Sequence, residues 1–172
     1  VGNMTNKELY RDFCHKTTHL PIFMQDWWLD AVCAGKQWDV LLSWDEQGAI
    51  QAALPYLLRQ RAWMKYIIMP QQTQIGGIWI DEALSDNEKK VAEISLDFAN
   101  QLAEMGLSYY YQHYPIGSPI VEHMRAMQFN VKERVTYRIE DLSNLDAVIN
   151  GFSKNKKRQL QKALSLHVDF NM

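Results

Sequence analysis

A chain of 172 residues, 47% hydrophobic and 12% aromatic, is long enough to bury a core and suits one globular domain. No run approaches the roughly 18 consecutive apolar residues of a membrane span, and the polar start Val1-Gly-Asn-Met-Thr-Asn-Lys7 has no signal-peptide core, so a cytoplasmic location is expected. The net charge of −2 hides an asymmetry: residues 1–153 hold 13 Lys and Arg against 19 Asp and Glu, and residues 154–172 hold five basic residues and only Asp169. The acidic body argues against a duplex-DNA binder, whose affinity rests on many phosphate contacts.

Thr5, with Glu8 three residues on, reads as a capping box opening a helix over 6–16, with Leu9, Phe13 and Cys14 on its apolar face. Pro21 punctuates the next loop. Residues 25–34 read as a second helix, with Trp27, Trp28, Ala31 and Val32 inward and Gly35 as its stop. Residues 38–44 predict a strand, 45–48 a hairpin turn and 49–59 a longer strand, which Pro55 pushes toward an edge or a bulge. A third strand is expected over 63–69. The loop 70–77, Pro-Gln-Gln-Thr-Gln-Ile-Gly-Gly, then leads to a short strand over 78–80. Ser85, paired with Glu88, is expected to cap a long helix to about Met105, with Val91, Ile94, Leu96, Phe98, Leu102 and Met105 at helical spacing and Gly106 ending it. A tyrosine-rich strand over 107–113, a helix opened by Ser118-Pro119, an alternating strand over 129–139 and a short helix over 145–152 follow. A basic helix begins at about Lys154 and leads toward Val168 and Phe170. The order predicts an α/β class with helices packed on a mixed sheet.

Cys14 and Cys33 fall in apolar helical patterns and read as small hydrophobes rather than a disulfide or metal pair. His15, His19, His123 and His167 show no ligand spacing, so no metal is expected. Ser43, Ser85, Ser118 and Ser153 lack a nucleophile-elbow context. In the uncharged loop, Gln72, Thr73, Gln74, Gly76 and Gly77 are candidates to hydrogen-bond an acceptor, against the plainer reading of a connection that uses glycine for positive φ. Tyr109, Tyr111 and His113 share one strand face. Tyr111 and His113 are further acceptor-binding candidates, and a histidine suits proton transfer near neutrality. Asp26, Trp27, Trp28 and Asp30 read as core helix rather than as a carbohydrate platform. Lys156, Lys157 and Arg158 are phosphate-binding candidates, against a solvated helix face with Leu160, Ala163 and Leu164 packed inward.

The order of elements resembles the GNAT N-acyltransferase fold: two early helices, a three-strand meander, a long helix, a strand, a helix and a last strand. Met124-Arg-Ala-Met-Gln-Phe129 is similar to the Tyr-x-x-(Leu)-Gly-Phe segment of many such domains, with Phe129 matching, Gln128 in place of glycine and Met124 in place of the tyrosine that often serves there as general acid. The segment from Phe152 through Lys154, Lys156, Lys157 and Arg158 to Ala163, then Val168-Asp-Phe170, looks like the junction of the FemABX-like aminoacyltransferases, which carry two GNAT-like halves.

That resemblance implies a GNAT-like N-terminal domain over 1–152, and over 153–172 a junction helix and the start of a second half. It implies the acceptor-binding half of an enzyme moving an acyl or aminoacyl group onto an amine. The donor, acyl-CoA or aminoacyl-tRNA, would bind elsewhere, with no cofactor in this chain. The acceptor would be a small molecule or resemble a peptidoglycan precursor, and tRNA would be met through the second half. The alternative is a non-catalytic GNAT-like binding or interaction module. The chain departs from the family where a glycine turn feeding the long helix should cradle a pyrophosphate: Gln72-Thr-Gln-Ile-Gly76-Gly77 has its glycine one residue late and precedes a strand, and the acidic residues 81–86 precede the helix.

Overall fold

A computed structural model describes residues 4–17, 19–34, 38–135, 139 and 141–166. Gly35, His167, Val168 and Phe170, and part of the expected strand over 129–139, lie outside them. The chain divides into two compact units, Val1–Val131 and Lys132–Met172.

In the first unit, helix α1 (Asn6–Lys16) starts at the expected capping box: the Thr5 side chain accepts from Glu8 N–H, and Glu8 Oε2 accepts from Thr5 N–H at 2.7 Å. Helix α2 (Asp26–Val32) follows. Strands β1 (Trp38–Trp44), β2 (Ile50–Arg61) and β3 (Met64–Ile68) form an antiparallel meander, β4 (Trp79–Ile80) pairs with β2, and β5 (Tyr109–Tyr110) runs parallel to β3. The sheet is therefore mixed and largely antiparallel. Helix α3 (Glu88–Glu104) and helix α4 (Ile120–Ala126) complete the unit.

Alternation along β1 and β2 sends side chains into two cores. Leu41, Ala52, Leu54 and Tyr56 meet Phe98, Leu102 and Met124 from α3 and α4. Val40, Leu42, Ala53 and Leu57 meet Tyr10, Cys14 and Leu29 from α1 and α2. The second core is stitched from above by Arg11, whose two guanidinium nitrogens each lie 2.6 Å from a different oxygen of Asp30. Asp30 also accepts from Trp38 Nε1 at 2.9 Å.

β2 corrects one expectation. It is central, with β1 on one flank and β3 and β4 on the other, so Pro55 marks neither an edge nor a β1–β2 bulge. The unbroken apolar run from Ala52 to Leu58 is the mark of a strand covered on both faces. Pro55 is tolerated because β3 pairs with Leu57 onward and β4 with Ala52 and Ala53, leaving a gap in the ladder opposite it.

Other expectations shift as well. Asn87, not Ser85, caps α3, its Oδ1 accepting from Lys90 N–H at 3.1 Å, because residues 82–84 are taken by a separate 3₁₀ turn capped by Asp81. Leu96 faces solvent, and Trp27 and Ala31 of α2 are exposed while Leu29 and Asp26 point inward. Residues 129–135 pair with no strand. Phe129 packs edge-on against Tyr110 at 5.7 Å, but Val135 is exposed, and among the described residues β5 pairs with β3 alone. Alternation gives a strand a face but not a neighbour for its backbone.

The second unit contains helix α5 (Leu145–Gly151), capped by Asn144, and helix α6 (Lys154–Ser165), capped by Ser153. The expected inward packing is not met: Ala163 and Leu164 are exposed and Leu160 is half-buried. No described helix is long and apolar enough to cross a membrane.

Candidate functional site

The gap in the β2 ladder organises the site. The segment between β3 and β4 leaves the sheet at Met69 and returns at Ile78, and it carries every loop residue singled out from the sequence. Thr73 N–H donates to Pro70 O at 3.3 Å, closing a turn whose third residue, Gln72, has φ of +62°. That left-handed conformation costs a residue with a side chain about 1 kcal/mol, and local strain of this kind tends to persist where surrounding contacts hold it. Thr73 Oγ1 accepts from Trp28 Nε1 at 3.0 Å, which ties the loop to α2. Gly76 N–H donates to His113 O at 2.9 Å, which ties it to the chain beyond β5.

Tyr109, Tyr111 and His113 do share one face. The Tyr109 and Tyr111 rings stack at 6.3 Å, and Tyr111 and His113 meet edge to face at 5.0 Å. His113 Nδ1 lies 3.0 Å from Gln74 O, and a carbonyl can only accept, so Nδ1 carries the proton. In the neutral ring Nε2 then accepts the Tyr111 hydroxyl at 2.7 Å. The loop thus fixes the histidine tautomer, and the tyrosine hydroxyl is the group through which a proton would reach Nε2.

The strand expected over 107–113 is only Tyr109–Tyr110, and the other side of β5 and of the extended chain that continues it holds residues that sequence reasoning passed over. Tyr114 O–H donates to Tyr110 Oη, Tyr110 O–H donates to Gln112 Oε1 at 2.7 Å, and Gln112 Nε2 donates to Pro55 O at 3.1 Å. Burial pushes both phenols above their ordinary range, so both stay protonated as donors. This chain of hydrogen bonds bridges the gap in the ladder and serves a carbonyl that no strand reaches. The signal available was Gln112 between alternating tyrosines, an amide placed among apolar neighbours.

Phe23, Met24, Pro55, Thr73, Gly77 and Gln112 are among the residues lining a shallow hollow over the bridged gap. The loop candidates Thr73, Gly76 and Gly77 border it, Gln72 and Gln74 are exposed beside it, and Tyr111 and His113 are held to it through Gln74 and Gly76. Asp26 and Asp30 are turned away into the Arg11 network, whereas Trp27 is 55% exposed and stands edge-on to Trp28 at 6.0 Å.

The basic candidates belong to the second unit and do not form one cluster. At about 100° per residue, Lys156 and Arg158 project about 160° apart around α6, while Lys154, Arg158 and Lys162 fall on one stripe. Lys157 Nζ donates to Asn150 O at 2.9 Å near the end of α5, and Arg158 donates to Asn155 Oδ1 at 3.2 Å. Cys14 and Cys33 are free buried thiols, each pushed by burial up to about 11. Among the described residues no group of three or more His, Cys, Asp or Glu side chains is placed to hold a metal ion.

No family model and no curated protein matches the chain. Among solved structures, the chain is similar to an aminoglycoside antibiotic 6'-N-acetyltransferase from Acinetobacter baumannii, at 12% identity over 81% of this chain and 96% of that one, with a TM-score of 0.42. It is also similar to a Pyrococcus furiosus protein described as an acetyl transferase, at 10% identity over 78% of this chain and 91% of that one, with a TM-score of 0.40.

Proposed function

We propose that this chain is the acceptor-binding part of a GNAT-like N-acyltransferase, and that the acyl or aminoacyl donor is held elsewhere. One observation carries the reading: the flank of β2 that opens opposite Pro55 is filled by the chain's own amide-rich loop, held by the Gly76–His113 bond, with the Gln112–Pro55 bond bridging the gap beneath it. In the fold this order of elements resembles, the strand after the long helix splays open at its end beside the ligand cleft. Here that space presents uncharged amides and a tyrosine–histidine pair. The approach to α3 runs through Asp81, Glu82 and Asp86, and the helix is capped by Asn87; carboxylates there repel a pyrophosphate. The donor, acyl-CoA or aminoacyl-tRNA, would therefore be brought by a second, FemABX-like half, where α6 and its basic stripe would contribute.

A second reading has its own support. Met124, at the position where the family's tyrosine often acts as general acid, is 3% exposed in the core between α3 and the sheet, so nothing on that side chain can deliver a proton. A binding module that kept the fold without the chemistry fits that residue.

Calorimetry of this chain with acetyl-CoA tests the first reading. No saturable heat is expected. Saturable binding would place a donor site in this chain and overturn it. Acyl transfer to a primary amine, assayed on the protein at its natural length, separates an enzyme from a module.

A further inference from the structure

We propose that the surface running from Trp27 across the loop to Tyr109 is a binding site for a neutral carbohydrate of more than one ring. The proposal rests on reading this loop as the acceptor face: the saccharide is the part of the acceptor recognised here, and the amine that takes the acyl group is carried outside the rings that stack on this surface.

The site is built from two fixed aromatic platforms with amides between them. Trp27 leaves 55% of its surface in water. Its ring stands at 81° to Trp28, and Trp28 in turn is wedged edge-on against Phe23 at 5.2 Å and held by its indole N–H on Thr73. Trp27 is thus backed by a side chain that cannot easily swing. At the other end Tyr109 is 54% exposed, stacked on Tyr111, which is backed by His113. Between them the side-chain amides of Gln71, Gln72 and Gln74 are exposed and make no hydrogen bond among the described residues.

A pyranose matches this sequence of surfaces. Its C–H face is apolar and suits the electron-rich face of an indole or phenol ring. Its rim of hydroxyls both donates and accepts, as do amide side chains. The loop and the chain beside it carry no charge, and Arg59, in register with Tyr66 and through it with Tyr109, is an exposed cation at that end. Residues 70–80 and 107–116 contain no Lys, Arg, Asp or Glu, and residues 1–131 as a whole carry 10 basic against 15 acidic side chains. A nucleic acid needs a basic groove beside its stacking rings. A peptide that adds as a strand uses free main-chain groups in a sheet edge. Among the described residues β5 has them on the side away from β3, so a peptide is the alternative that the test separates. At the gap in the β2 ladder Pro55 has no N–H, and its carbonyl is already taken by Gln112.

The test titrates the whole chain with chitotetraose, cellotetraose and maltotetraose, following the Trp27 and Trp28 indole N–H resonances by NMR and the heat by calorimetry. N-acetyl-tetraalanine amide is titrated in parallel. At least one sugar is expected to saturate and to shift both indole signals. Trp27→Ala should then weaken it by about tenfold, Trp27→Phe by less, and Trp44→Ala not at all. Because Trp27 is exposed, the melting temperature of Trp27→Ala should stay near that of the parent. Binding of the peptide alone, lost in Gln74→Ala, would overturn the carbohydrate class and keep the acceptor face. Silence from sugars and peptide, or sugar binding indifferent to Trp27→Ala, would overturn the proposal.

Discussion

Gly76 and Gly77 lie where the loop must pass close to the chain beyond β5 that it is pinned against. A Cβ at Gly76 would come within 2.6 Å of Gln112 Nε2, which is the far end of a flexible side chain. Gly76→Ala should therefore push Gln112 off Pro55 and lose about 1 kcal/mol, the value of one hydrogen bond. Gly77 has φ of +115°, and its Cβ would meet the Tyr114 ring at 3.1 Å and Pro115 at 3.2 Å. Strained backbone adds to crowding there, so Gly77→Ala should cost about 2–3 kcal/mol. Urea denaturation of both variants checks the order, and equal losses would contradict it. Asp30 offers a second test among single residues. The Arg11 guanidinium beside it, helped by the Trp38 indole, holds its carboxyl below the ordinary range. A depressed carboxyl contributes stability above its unfolded value, near 3.8, and that contribution is lost as pH falls through the lower folded value. Asp30→Asn should accordingly lower the melting temperature at pH 7 and flatten its fall between about pH 5 and pH 2. An acid limb as steep as the parent's would place the dependence on other groups.

Elements show which local signals compete. Before α3 two residues compete for the cap: Ser85, read from the sequence with Glu88, and Asn87, which accepts from Lys90 N–H in the structure. The structure uses the second because the 3₁₀ turn occupies the residues just before Ser85. Asn87→Ala should cost about 1 kcal/mol, and Ser85→Ala close to nothing. Thermal melting of the two single variants separates them, and a larger loss from Ser85→Ala would restore the capping box read from sequence. β2 illustrates the same competition. Proline read alone suggests an edge, but seven consecutive buried residues from Gln51 to Leu57 outweigh it. The missing N–H is harmless where the ladder is already interrupted. In α2 helical spacing identified an apolar stripe and chose the wrong side for Trp27 and Ala31, because the Arg11 network turned Asp26 and Asp30 toward α1.

Across the first unit as a whole, the two cores share one strand. Phe98 and Leu102 pack on one face of β2, Leu29 and Tyr10 on the other. Phe98→Ala should cost about 3–5 kcal/mol and Leu29→Ala about 2–5 kcal/mol. Because both cores close on β2, both variants should lower the midpoint of the same cooperative urea transition. Two separated transitions would show that the faces fold independently. By itself the sequence determined the elements whose signals are local: the Thr5–Glu8 box, the seven residues of β1, the turn at Gly48, the long helix and its end at Gly106, and the starts of the last two helices at Leu145 and Lys154. It also determined that the loop over 70–77 is uncharged and that Tyr109, Tyr111 and His113 alternate onto one face. What only the tertiary structure decided were relations between distant residues. Gln112 reaches Pro55, Trp28 reaches Thr73, and His113 reaches Gln74, across 57, 45 and 39 positions of chain. Such pairings depend on which strand lies beside which, and side-chain periodicity fixes a face without naming the neighbour.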